Sequence, residues 1–106
     1  MDVVAETRLV AVFDSGMSAK VALRIGRPVP HPKGDWVGTV QIDGFQAWAG
    51  SCEIYGVDSW QTLILSLRFV RSILLQEVEF GTAFHWEDGM DVINVEGLFI
   101  VQDEVK

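Results

Sequence analysis

The side chains that could act as nucleophile, base or metal ligand are few and lie far apart in the chain. The two histidines are His31 and His85, and the one cysteine is Cys52. No HExxH, HxH or CxxC spacing occurs, so the sequence does not predict a zinc site. Cys52 and a histidine could form a nucleophile–base pair. However, Cys52 falls inside a predicted strand, where a buried, inert thiol is more common, and we assign no catalytic residue.

Acidic residues gather late in the chain, at Glu87, Asp88 and Asp91. Their spacing differs from that of a calcium-binding loop, and we interpret them as a solvated turn. Neither GxGxxG nor GxxxxGK[ST] occurs, so a phosphate-binding loop is not indicated. We therefore predict no cofactor and no metal.

A small-molecule site is one possibility for the loop at residues 27–36. This stretch, RPVPHPKGDW, holds all three prolines of the chain. Proline fixes φ and lacks a backbone donor, so the loop is expected to be extended. The predicted ligand-binding residues are Arg24, His31, Asp35 and Trp36. The alternative for the tryptophans is core filling, because each ring buries a large area in a small domain.

The elements that would position these residues follow from hydrophobic periodicity. Strands are predicted at residues 3–13, 18–26, 36–43, 46–55, 83–86 and 98–101. Asp-Ser-Gly at 14–16 and Asp-Gly at 43–44 are turn signals between neighbouring strands. The chain is expected to form a single α+β domain over residues 1–106. Its fold would be an antiparallel sheet of four to six strands with one long helix packed on a face.

The helix is predicted from Asp58 to about residue 78. Asp58 is a good N-cap residue, and Gln61 three positions later completes a pattern like a capping box. Ser59 is an alternative cap. Gly81 is expected to end the helix.

The apolar residues of this helix occupy two faces. At roughly 100° per residue from Trp60, one face collects most of them and is the predicted core face. Its members are Trp60, Leu63, Ile64, Leu67, Val70, Leu74, Leu75 and Val78. The opposite face carries Leu65, Phe69 and Ile73 at positions i, i+4 and i+8. We interpret this second stripe as an interface, in a homodimer or with a partner protein; the alternative is that the C-terminal segment covers it.

Arg71 lies near the middle of the predicted core face. A buried guanidinium needs a partner, and the candidates are Glu53 and the acids of residues 87–91. The side chain could equally bury only its stem at the edge of the sheet. We interpret Asp58, Gln61 and Arg71 as structural polar residues.

Composition excludes several classes of function. The chain has 106 residues, of which 49% are hydrophobic and 22% charged, with a net charge of −7. This composition is that of a globular protein, and the negative net charge argues against binding nucleic acid or anionic membranes. No basic leader precedes an apolar run, and Arg68 and Arg71 interrupt the longest apolar stretch, so neither a signal peptide nor a membrane span is predicted. A cytoplasmic location is expected.

Three motifs resemble a family of small bacterial proteins of unknown function. One is an RIG.P turn leading to GDW, the second is an IDG turn, and the third is GVDS.QAL opening a helix that carries an arginine. The matching residues are Arg24, Ile25, Gly26 and Pro28; Gly34, Asp35 and Trp36; Ile42, Asp43 and Gly44; and Gly56, Val57, Asp58, Ser59, Gln61 and Leu63, with Arg71 further on. Thr62 stands where the pattern has alanine. The resemblance implies a shared fold and a bacterial, intracellular setting, and no particular activity.

Three functions remain open from the sequence. The first is a non-enzymatic interaction protein that self-associates or binds a partner protein through the outer helix stripe. The second is a small-molecule-binding domain with its site near the proline loop and Trp36. The third, which has the least support, is an enzyme with a carboxylate or His31 as base.

Overall fold

A computed structural model describes residues 1–45, 50–88 and 91–99. Its elements are β1 (Val3–Val12), β2 (Ser18–Gly26), β3 (Val29–Pro30), β4 (Trp36–Asp43), β5 (Gly50–Gly56), α1 (Ser59–Glu79), β6 (Ala83–Trp86) and a 3-10 helix (Val95–Leu98). The predicted α+β fold is confirmed. The strand predicted at 98–101 is wrong at Leu98, which ends the 3-10 helix. Its last two residues, and residues 46–49 of the predicted fourth strand, lie outside the described residues.

The strands form one antiparallel sheet. β2 pairs with β1 and with β4, β6 pairs with the other edge of β1, and β5 pairs with the other edge of β4. The order across the sheet is therefore β5–β4–β2–β1–β6. The short strand β3 pairs with the same edge of β4 as β2 does, near the start of β4. Since α1 joins β5 to β6, the chain crosses the whole width of the sheet within one helix.

Strict alternation gives the sheet one buried face. Leu9 lies opposite Val21, and Leu23 lies opposite Ile42, so apolar side chains meet across neighbouring strands on the side of α1. The rings of Phe45 and Phe84 pack edge to face with centroids 5.9 Å apart. The core comprises Leu9, Ala11, Val21, Leu23, Ile25, Val40, Ile42, Phe45, Val70, Leu74, Phe84 and Val95.

The ends of α1 are set by the residues that the sequence indicated. Asp58 is the N-cap, and its Oδ1 accepts a hydrogen bond of 2.7 Å from the backbone N of Gln61. The Gln61 side chain reaches back and accepts a 2.8 Å bond from the N of Val57. After α1, Gly81 takes a φ of +95°, a conformation that favours glycine and turns the chain toward β6.

Small residues bring α1 close to β4 and β5. Thr62 and Ser66 are buried, and they lie over Gly38 and Gly56. The Thr62 hydroxyl donates to the carbonyl of Asp58 at 2.7 Å, and the Ser66 hydroxyl donates to the carbonyl of Thr62 at 2.8 Å. These hydroxyls are satisfied inside the helix, so burying them leaves no unpaired donor.

This contact turns α1 away from the orientation that the sequence predicted. The buried line runs through Thr62, Ser66, Val70 and Leu74, about 100° from the predicted centre at Trp60. The prediction that Trp60 is a core residue is wrong, because its side chain is 76% exposed. Ile64 and Val78, also assigned to the core face, are 41% and 44% exposed.

Two of the three residues of the stripe assigned to a partner are turned toward the core instead. Phe69 and Ile73 are partly buried and pack against the core, and Leu65 is half-buried. Their role as an interface stays a prediction, and their position does not favour it. The helix does have a second apolar face, but that face consists of Trp60, Ile64 and Val78.

Replacing Gly56 by alanine is expected to lower the free energy of unfolding by about 1–3 kcal/mol, since the added methyl overpacks the helix–sheet contact. A Cβ atom on Gly56 would lie 2.8 Å from the backbone N of Thr62, so the helix itself would have to move. Urea denaturation measures the change. The matched control is Gly97→Ala, where no atom lies within 4 Å of the new Cβ, and an equal loss in both variants would contradict the close packing.

Candidate functional site

A groove of about 550 Å³ lies between α1 and the inner face of β1 and β2. It exists because α1 packs chiefly on β4 and β5 and leaves the β1 side of the sheet less covered. Its walls include Thr7, Leu23 and Ile25 from β1 and β2, Ile64, Leu67, Arg68 and Arg71 from α1, Trp86 at the end of β6, and Phe99 after the 3-10 helix. Apolar walls with a few charged groups are typical of ligand-binding clefts of this size.

The charged residues that line the groove are Arg68 and Arg71 on α1 and Glu6 on β1, whose carboxylate is already paired with Arg24 and Arg8. Arg68 and Arg71 are three residues apart, so they lie on neighbouring turns of one face. Arg71 donates from Nε and Nη2 to the two carboxylate oxygens of Glu96, at 2.5 and 2.7 Å. This two-point ion pair lowers the pKa of Glu96 and raises that of Arg71, mainly through the hydrogen bonds.

The pairing corrects the partner predicted for Arg71. Glu53 lies on β5, and the acids of residues 87–91 precede the segment that supplies Glu96. Arg71 is also not a core residue, because its side chain is 41% exposed. The rotation of α1 explains this, since it moves the face of Arg71 from the sheet to the groove.

Arg24 lies on the opposite, outer face of the sheet. Its guanidinium donates to Glu6 at 2.6 Å and to Asp43 at 2.6 Å, and Glu6 also accepts from Arg8 at 3.2 Å. Hydrogen bonding to Arg24 is the main reason why the pKa of Glu6 is lowered. The arginine therefore joins β1, β2 and β4 across their solvent side.

The proline loop does not gather the four ligand-binding residues predicted for it. The backbone N of His31 donates to the carbonyl of Asp35 at 2.6 Å, and the ring of His31 meets that of Tyr55 edge on at 5.6 Å. Arg24 lies opposite Gln41 of β4. Gln41 is five residues after Trp36 on the same strand, so Arg24 and Trp36 lie on opposite faces of the sheet and about 17 Å apart along the strand direction. The loop therefore brings together only His31 and Asp35 of the four. Trp36 lies on the face of the sheet that α1 covers, and Arg24 lies on the outer face.

Residues able to do catalysis are also dispersed. Within the described ranges, no group of three or more His, Cys, Asp or Glu side chains could hold a metal ion. His85 lies opposite Val10 of β1, and its Nδ1 atom is buried with no hydrogen-bond partner among the residues that the structure describes. Cys52 pairs with Val40 on β4 and is half-buried.

The groove was not predicted as a site from the sequence, although Arg71 was singled out. Thr7 on β1, Leu23 on β2 and Phe99 after the 3-10 helix come from segments far apart in the sequence and belong to no motif. A usable signal was the pair Arg68 and Arg71 on an otherwise apolar helix face, because charge there implies partial exposure or a paired anion.

Comparison with known proteins adds a family and no activity. Residues 6–93 match the family model of a domain of unknown function, DUF6968, so the chain belongs to this family and the resemblance to an uncharacterised family is confirmed. No curated protein and no solved structure matches the chain. Among the described residues, no helix is both long and apolar enough to cross a membrane.

The Arg24 ion pairs predict a dependence of stability on pH. The folded pKa of Glu6 lies below its ordinary value of 4.5, so its contribution to stability is present above that value. It is lost as pH falls through the folded pKa, since the unfolded chain binds the proton first. Glu6→Gln is expected to lower the unfolding free energy at pH 7 and to lose this effect in acid.

Thermal unfolding between neutral and acidic pH checks this. The control is Glu87→Gln, a change at an exposed residue of the turn after β6. A difference between wild type and Glu6→Gln that stays constant down to the lowest pH would contradict the ion pair as its cause.

Proposed function

For this member of the DUF6968 family, we propose a non-enzymatic binding function: the groove between α1 and strands β1 and β2 holds an amphipathic small molecule with an anionic group. The observation that carries the proposal is an apolar groove of about 550 Å³ with Arg68 and Arg71 on its helix side. The proposal keeps the small-molecule hypothesis and moves its site from the proline loop to the groove.

The balance of forces favours a ligand with both an apolar body and a charge. Burying apolar ligand surface against Leu23, Ile25 and Leu67 contributes roughly 25 cal/mol per Å². A guanidinium can hold an anion by two hydrogen bonds, which fixes the orientation of the ligand. The net charge of −7 gives no long-range attraction for an anion, so local contacts with Arg68 and Arg71 must supply the recognition.

Filling the groove tests this function. Thr7 lies opposite Leu23 on the inner face and lines the groove, so Thr7→Tyr places a ring inside it. Decanoate serves as the probe in isothermal titration calorimetry, and the variant is expected to bind it at least about tenfold more weakly. Tyrosine is well tolerated in strands, so the fold should persist.

The matched control is Thr39→Tyr on β4. Thr39 lies opposite Glu53, next to the buried Val40, and so points to the outer face of the same sheet. Equal loss of binding in both variants, or no binding of decanoate by the wild-type protein, would contradict the groove as the site.

Self-association is a second candidate function, through the exposed side of α1 that borders the groove, where Ile64 belongs to both surfaces. Trp60 is 76% exposed, and Ile64 and Val78 lie on the same side of α1. Large exposed apolar side chains aligned on one helix are typical of protein contacts. We propose a homodimer through this face, or a protein partner there, in the cytoplasm of a bacterium. The lone Cys52 and the family resemblance support that setting.

The substitution Trp60→Ser tests whether the interface lies on the Trp60 side of α1 or on the side that carries Phe69. Light scattering after gel filtration is expected to give a dimer mass for the wild type and a monomer mass for the variant. The unfolding free energy, compared at protein concentrations low enough for both to be monomers, is expected to change by less than about 0.5 kcal/mol. Phe69→Ala is the contrast, because Phe69 packs against the core; it is expected to cost about 1–3 kcal/mol. A Trp60→Ser protein that keeps the dimer mass would exclude this face as the interface.

A further inference from the structure

The guanidinium fork of Arg71, formed by its Nε and Nη2 donors, already binds a carboxylate of the protein itself. Nε and Nη2 of Arg71 donate to the two oxygens of Glu96 at 2.5 and 2.7 Å, which is the geometry in which a guanidinium binds any carboxylate. Because Arg71 also lines the groove, this ion pair stands at the proposed binding site. Glu96 thus marks the place where an anionic group can be held.

The segment that carries Glu96 also forms part of the groove. Val95 is buried and anchors the 3-10 helix in the core, and the Asn94 side chain caps it by accepting from the N of Glu96 at 3.2 Å. Leu98 and Phe99 follow at once and line the groove. The ion pair therefore ties α1 to a short segment whose next residues contact the site.

We propose that Arg71 receives the carboxylate of the ligand and that Glu96 is an internal competitor, displaced when the ligand binds. The proposal rests on the groove-binding function and names the ligand class as a carboxylate with an apolar tail. An incoming carboxylate makes the same two hydrogen bonds to Arg71 that Glu96 gives up, so the guanidinium stays paired throughout.

The exchange of one carboxylate for the other has a small free-energy cost, because both side chains of the ion pair are partly solvated. The side chains of Arg71 and Glu96 are 41% and 40% exposed, and ion pairs at such exposure are screened and contribute little net stability. Once released, the Glu96 carboxylate is hydrated, so no charge is left buried and unpaired. Burial of the apolar tail then decides the equilibrium.

The experiment compares two probes that share a ten-carbon chain, decanoate and decan-1-ol, by isothermal titration calorimetry. Glu96→Gln removes the competing charge and keeps the shape of the side chain. It is expected to tighten decanoate binding up to about fivefold, the most that an ion pair at this exposure can oppose, and to change decan-1-ol binding by less than about twofold. Arg71→Gln is expected to weaken decanoate to the level of decan-1-ol.

Two further variants sharpen the test. Glu96→Asp has a shorter side chain that no longer spans to the fork, so it is expected to tighten decanoate in the same direction if Glu96→Gln folds poorly. Arg68→Gln is the matched control for Arg71→Gln, because it removes the same charge one turn away on α1. The expected loss with Arg68→Gln is smaller than with Arg71→Gln, since the fork geometry belongs to Arg71.

The outcomes separate this inference from the function on which it rests. If neither probe binds the wild type, groove binding itself is wrong. If both probes bind and Glu96→Gln leaves decanoate unchanged, groove binding stands and the exchange is wrong. If Glu96→Gln shifts both probes equally, Glu96 acts through the packing of the 3-10 helix, which also overturns the exchange.

Discussion

The distance between helix and sheet at Gly38 and Gly56 governs the rest of this structure. Thr62 and Ser66 lie against these glycines, and a Cβ on Gly56 would already meet the backbone of Thr62. Only a glycine-lined stretch of sheet under two short side chains permits such an approach. The helix is therefore fixed in position and in rotation by its smallest residues, and its larger apolar residues take the directions that remain.

Two surfaces follow from that rotation. Phe69 and Ile73 turn inward and pack on the core, while Trp60 and Ile64 turn outward. Since α1 is held over β4 and β5, a groove stays open above β1 and β2, with Arg71 on its helix side. The outer face of the sheet is held by polar contacts instead, in which Arg24 bridges Glu6 and Asp43. The candidate binding surfaces thus all lie on the helix side of the molecule.

Local patterns predicted the elements well because each depends on nearby residues. Alternation placed β2 and β4, Asp58 and Gln61 marked the start of α1, and Gly81 marked its end. The face of the helix could not be read in the same way. Counting apolar residues treats Thr62 and Ser66 as surface positions, although their hydroxyls bond to carbonyls four residues earlier and are thereby made fit for burial.

The fold class, the single sheet and the positions of the helix ends could be predicted from the amino-acid sequence. These properties follow from composition, periodicity and turn chemistry, which act over a few residues. The buried face of the helix, the ion pair between Arg71 and Glu96 and the groove beside them emerge only from the packing of the folded chain. Those outcomes depend on how closely distant segments can approach one another, and that distance is set by the shapes of residues on different strands and helices rather than by neighbours in the chain.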